Sequence, residues 1–266
     1  MKNILLIAVG LLALVLLTSA ATSYIVLTQL VDNETESEQA DTFADASLDL
    51  SEVYAEKQSH KLWAEKIITG GYILHIRHAQ RERWHDSAAF DAYELYSGLN
   101  PLDQQSNYYR ATCLTRRGIE EARLMGKIFQ LAGVKASQVI SSPSCRAWMT
   151  AEEAFGENYT KENSLLPRTA MMPEQHDAFA AQLRDVLMNV EIKDGENVIL
   201  TGHGATLEWD GPKVIDETEI DGSQLRQETG FYVIERVGDR LINRYLFPSL
   251  RDFATVVIEL PLSSPQ

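Results

Sequence analysis

The sequence predicts an α/β fold, a three-layer sandwich whose mostly parallel central sheet carries helices on both faces. Two observations predict it. Short apolar runs recur around Tyr72–Ile76, Val139–Ile140 and Asn197–Thr201, and stretches of helical periodicity separate them. Runs without strict alternation mark strands buried on both faces, and strand–helix alternation is the pattern of a parallel sheet.

The elements follow in order. Met1-Lys2-Asn3 precedes an apolar run from Ile4 to Leu17, small residues follow at Thr18–Ala21, and apolar character resumes from Tyr24 to Val31. Residues 1–31 read as a signal peptide or an N-terminal transmembrane anchor, since a span needs about 20 apolar residues. Lys2 before the run and acidic residues after it favour an N-terminus that stays inside. The expected location is therefore periplasmic, either released or membrane-anchored facing the periplasm. Residues 32–50 contain seven acidic residues and no basic one, half of the formal net charge of −14, and read as a disordered acidic linker. Residues 51–266 form the expected globular domain. It opens with a helix over about 52–67 bearing Val53, Leu62, Trp63 and Ile67. Thr115 is placed to N-cap a helix carrying Ile119, Ala122, Gly126 and Phe129 on one face. Further helices are expected over Cys145–Phe155 and Asp177–Asn189. Residues Phe231–Arg236 and Leu241–Leu246 form a hairpin turning at Gly238-Asp239.

The net acidity argues against a nucleic-acid partner. A small phosphorylated substrate stays compatible, because a local arginine cluster governs that. Cys113 and Cys145 are the only cysteines, with no CxxC metal spacing; export would permit them to pair, and the sequence leaves this open.

Three strand ends carry the chemistry. The first ends in Arg77-His78-Ala79, the second in Ser141-Ser142-Pro143-Ser144-Cys145-Arg146, the third in Thr201-Gly202-His203-Gly204. Parallel neighbours would converge two arginines and two histidines at one sheet edge, where ligands of such folds bind. Guanidinium forks match phosphate oxygens, and neutral imidazole is a nucleophile. Arg81, Arg83, Arg110, Arg116 and Arg117 flank these segments and are placed to make the pocket mouth positive; Arg116 and Arg117 fit exposed helix positions equally well. His75 reads as a core histidine, and His60, His85 and His176 as surface residues. A cysteine-nucleophile phosphatase does not fit, because "CRAWMTA" has neither the phosphate-cradling loop nor an arginine six residues on.

"YILHIRHAQ", "LTRRGIEEARLMGKIF", "VISSPSCRAWMTAEEAFG" and "VILTGHGATLEW" resemble, in order, the segments of the histidine phosphatase superfamily, in its phosphoglycerate-mutase-like branch, over roughly residues 68–246. "RHA" and "ATCLTRRG" are similar to a bacterial subgroup that includes exported sugar-phosphate phosphatases. The resemblance implies a phosphoglycerate-mutase-like fold and phosphomonoester hydrolysis without metal or other cofactor. His78 would be the nucleophile, Arg77 and Arg146 the ligands of equatorial oxygens, and His203 the second pocket histidine. Ala79 stands where glycine is commoner in the family, and its amide is expected to reach phosphate still. The proton donor is expected to be Glu174, 28 residues beyond Arg146, with Asp177 and Glu208 as alternatives. An alternative function is a phosphatase-like domain that binds a phosphorylated ligand or partner without turnover. A mutase fits poorly with export, because the phosphorylated cofactor it needs is cytoplasmic.

Overall fold

A computed structural model of the chain describes residues 50–82, 112–167, 173–204, 214–220 and 226–260. The apolar run over 1–31, nearly all of the acidic stretch, and Arg83, His85, Arg110 and Glu208 lie outside the described residues. Among the described residues no helix is long and apolar enough to cross a membrane.

Helix α1 (Leu50–Thr69) ends on a glycine pair, Gly70 at φ +88° and Gly71 at φ +100°, a conformation that L side chains resist, and leads into β1 (Ile73–Arg77). Then come α2 (Arg116–Ala132), β2 (Ala136–Ser141), α3 (Cys145–Phe155), β3 (Thr160–Lys161), α4 (His176–Asn189), β4 (Asn197–Gly202), β5 (Glu217–Thr218), β6 (Phe231–Val237), β7 (Arg240–Phe247) and α5 (Leu250–Val257). The strands form one sheet in the order β3-β2-β4-β1-β6-β7-β5. β3, β2, β4 and β1 run parallel, while β6 pairs antiparallel with β1 and with its hairpin partner β7. The chain leaves β1 for β2 and comes back through β4, which slots between them.

Alternation along the strands divides the core into two faces. Leu74 and Ile76 of β1 and Ile199 of β4 pack against Ala64 and Ile67 of α1, Met125 and Phe129 of α2, and Phe253 of α5. Ile73, Val198 and Leu200 point the other way, onto Ala180, Leu183 and Leu187 of α4. This is the three-layer arrangement expected. Phe129, Phe231, Phe247 and Phe253 meet with ring centroids 4.9–5.6 Å apart. Each buried ring contributes about 1.5–3 kcal/mol relative to exposure.

One reading of α1 needs correcting, that of His60. Leu62 is half exposed, and His60, expected at the surface, is buried. The inward stripe is His60, Ala64 and Ile67, spaced by four and three residues, which places Leu62 off it. The His60 ring stacks on Phe247 at 5.2 Å and hydrogen-bonds the Tyr245 hydroxyl at 2.9 Å.

Candidate active site

The three strand ends meet as expected. The register sets Arg77 beside Gly202 and Ser141 beside Thr201. Past the last rungs, the His78 amide donates to the Gly202 carbonyl (3.0 Å) and the Ser142 amide to the Thr201 carbonyl (2.9 Å). The sheet ladder therefore extends into the site and fixes where the side chains start.

His78, Arg146 and His203 are each buried, at 3–4% exposure. The rings of His78 and His203 lie 5.5 Å apart, centroid to centroid, inclined at 62°. Hydrogen bonding sets both tautomers. His78 Nδ1 faces the Ala79 carbonyl at 2.8 Å, an acceptor only, so Nδ1 carries the proton and Nε2 keeps its lone pair. His203 Nδ1 lies 3.2 Å from an Arg146 terminal nitrogen, a donor only, so His203 accepts there and its Nε2–H points to Ser142 Oγ, also at 3.2 Å. Burial, and then the positive charge of Arg146, hold both imidazoles well below their ordinary value near 6.5. Both rings are neutral at physiological pH.

Arg146 sits in the first turn of α3, so the positive end of that helix dipole is at the pocket. Thr150, one turn on, donates to the Arg146 carbonyl (2.7 Å) and accepts from the Ala79 amide (3.0 Å). The expectation that the Ala79 amide reaches phosphate is thereby corrected, because its proton is committed to Thr150. Arg77 is half-buried at the end of β1, its guanidinium donating to the Arg226 carbonyl at 2.7 Å. Arg116 and Arg117 are exposed on α2 and pair with Glu120 and Glu121. Arg81 stays near enough to lower both pocket histidines.

Glu174 and Asp177 are exposed, Glu174 on the single turn Pro173–Gln175 and Asp177 at the start of α4. Among the described contacts none joins either to His78, Arg146 or His203. Glu228 is a carboxyl the sequence reading did not select. Burial raises it against the opposing pull of Arg77, and the Arg81 amide also bonds to it. It lines a cleft of about 780 Å³ together with Arg77, Gln80, Arg226 and Thr229.

Sequence reasoning also passed over Thr150 and Arg226, and it left the pairing of Cys113 with Cys145 open. Cys113 and Cys145 form a disulfide that ties the first residue of α3 to the segment leading into α2. His75 is a fully buried core histidine as expected, with Arg226 donating to its Nδ1 at 2.9 Å. Among the described residues no group of three or more His, Cys, Asp or Glu is arranged to hold a metal ion.

No family model matches the chain, and no curated protein matches it. Solved structures do. The protein histidine phosphatase SixA, complexed with tungstate, is 15% identical, covers 68% of this chain and 98% of its own, and gives a TM-score of 0.44. The ecdysone phosphate phosphatase of Bombix mori is 17% identical over 62% of this chain and 89% of its own, with a TM-score of 0.38. A phosphoserine phosphatase of Entamoeba histolytica, in complex with 3-phosphoglyceric acid, is 13% identical over 68% and 98%, with a TM-score of 0.39. Likeness at this level assigns this chain neither a family nor an activity.

Proposed function

We propose that the domain hydrolyses phosphomonoesters through a phosphohistidine formed on His78. One observation carries the reading. A buried imidazole is held neutral, with its proton fixed on Nδ1 by the Ala79 carbonyl, and lies against His203, which Arg146 contacts. Such a nitrogen is a nucleophile that needs no base to strip it. Nε2 attacks phosphorus, the ester P–O bond breaks, and the alcohol leaves with a proton from a carboxylic acid. Water then attacks phosphorus, the P–N bond breaks, and the resulting carboxylate takes the water's proton. Orthophosphate and neutral His78 result. Arg77 and Arg146 balance charge on the equatorial oxygens, and His203 turns its Nε2–H from Ser142 to the phosphoryl group.

Glu174 is the donor we propose from sequence order. Glu228 is the second candidate, because burial favours its protonated form beside Arg77. The two are separable by leaving group. An aryl phosphate needs little protonation as it departs and an alkyl phosphate needs much, so Gln at the true donor depresses alkyl turnover far more than aryl turnover.

The substrate class we propose is a small phosphorylated metabolite outside the cytoplasm. Support comes from the apolar run over 1–31 and from the Cys113–Cys145 disulfide, a bond that persists in oxidising compartments. The test is hydrolysis of an aryl phosphate by the wild type and by His78→Ala, with acid quenching to trap phosphate on His78. Loss on the order of a thousandfold or more is expected in the variant. Equal rates would remove His78 from the mechanism. Phosphate binding with no turnover of any ester by the wild type would leave a phospholigand-binding domain.

A further inference from the structure

Arg226 lies just before β6, outside every segment the sequence reading singled out, and only 5% of it is exposed. Its guanidinium is divided between the middle of β1 and the segment just past the end of β4. One terminal nitrogen donates to His75 Nδ1 (2.9 Å) and to the His75 carbonyl (2.7 Å), both on β1. The other donates to the His203 carbonyl (2.6 Å) and to the Gly204 carbonyl (3.0 Å), just beyond β4. The group stacks on the Tyr232 ring at 4.3 Å, which holds the plane of the fork. The backbone of the same residue acts too, since its carbonyl accepts from the Arg77 guanidinium at 2.7 Å.

We propose that Arg226 is the positioning residue of the pocket: its side chain holds the His203-Gly204 turn against β1, and its carbonyl aims Arg77. The inference rests on the phosphoryl-pocket reading above. Two of the four proposed phosphate-contacting side chains, Arg77 and His203, meet at this one residue. His203 follows the last residue of β4, where sheet hydrogen bonding ends, so its carbonyl needs another donor. A guanidinium supplies several donors in a fixed plane, and neither a lysine nor a neutral side chain reaches four acceptors on two strands. Displacing either pocket residue by a fraction of an ångström lowers the rate while leaving every reacting group present.

The test compares full-length wild type, Arg226→Gln, Arg226→Lys and Arg236→Gln. Arg236 is the control, because it too donates to backbone carbonyls, those of Leu187, Met188 and Val190, at the far end of α4. Two readouts are taken on each: inorganic phosphate affinity by calorimetry, and kcat and KM on an aryl phosphate, with thermal melts to establish the folded state. For Arg226→Gln we expect kcat/KM to fall on the order of a hundredfold and phosphate affinity by about tenfold. Arg226→Lys is expected to keep the fold and lose less, in the same two readouts. Should the Gln variant not fold, the Lys variant alone decides. Arg236→Gln is expected to melt lower while keeping wild-type affinity and rate. Wild-type affinity and rate in a folded Arg226 variant, or an equal loss in Arg236→Gln at an equal melting shift, overturns the proposal. A wild type that neither binds phosphate nor hydrolyses the ester overturns the pocket reading, and this inference with it.

Discussion

At the scale of single residues, the site is governed by which hydrogen-bonding partners can only donate or only accept. The Ala79 carbonyl can only accept and the Arg146 guanidinium can only donate, and together they assign both histidine tautomers without any observed hydrogen. Thr150 joins the two halves by binding the Ala79 amide and the Arg146 carbonyl with one hydroxyl. Thr150→Val keeps the shape and leaves the buried Ala79 amide without an acceptor. We expect it to destabilise by about 1–3 kcal/mol in denaturant unfolding and to slow aryl phosphate hydrolysis. An unchanged unfolding midpoint would show that another acceptor replaces the hydroxyl. The pH–rate profile follows from the same chemistry. His78 is held neutral to well below pH 6.5, so its protonation should not lower kcat/KM between pH 7 and 6, whereas an ordinary histidine nucleophile would lose activity there. Arg77, His78, Arg146 and His203 were legible in the sequence because each follows closely on an apolar strand in a short, chemically dense segment. Thr150 and Arg226 were not, because their work is to bind backbone atoms of segments 71 and 151 residues away. A single sequence carries no signal of such partners.

At the scale of elements, most boundaries were legible because local chemistry sets them. Thr115 caps α2 as expected, its hydroxyl oxygen accepting from the Gly118 amide at 3.0 Å, and the hairpin turns at Gly238 with φ +63°. The strand order was not legible, since it depends on which apolar faces pack and not on any one strand's composition. The closeness of α2 to its neighbours was likewise hidden in two glycines. A Cβ on Gly118 would lie 2.0 Å from the Gln80 carbonyl oxygen, and one on Gly126 would lie 2.1 Å from that of Ala154 on α3. Both obstacles are backbone, which gives way only if an element shifts. Alanine at an exposed helical site gains about 1 kcal/mol over glycine, and overpacking here costs about 1–3 kcal/mol, so the clash wins. Gly126→Ala is expected to lower the melting temperature with little change in KM. Gly118→Ala presses on Gln80, two residues past His78, and is expected to lower kcat as well. Identical effects of both on activity would contradict this division.

At the scale of the whole molecule, two features couple the site to global stability. His75, His78 and His203 are all buried and held well below 6.5, burial being the largest cause in each. As pH falls through about 6.5 the unfolded chain binds protons at these positions and the folded chain does not, so stability falls with acidification. The slope approaches about 1.4 kcal/mol per pH unit for each such histidine. Urea midpoints measured from pH 7.5 down to 5 should decline over that range, and a flat profile would mean that these histidines take up protons alike in the folded and unfolded chain. The disulfide acts in the other direction. Cys113 and Cys145 are 32 residues apart, and both are almost completely buried. Closing a loop of that length removes unfolded-state entropy amounting to about 3–4 kcal/mol. For a domain of this size the loss of the bond corresponds to roughly 6–16 °C in melting temperature. Because Cys145 opens the helix that carries Arg146, the bond also restrains a guanidinium of the pocket. Cys113→Ala with Cys145→Ala is therefore expected to melt lower by that margin and to show a raised KM for aryl phosphate. The wild type should resist mild reductant until warmed, since neither sulfur is accessible in the folded chain. A double variant that melts with the oxidised wild type would show that native packing already supplies the order attributed here to the bond. A lowered melting temperature with an unchanged KM would place the disulfide in stability alone.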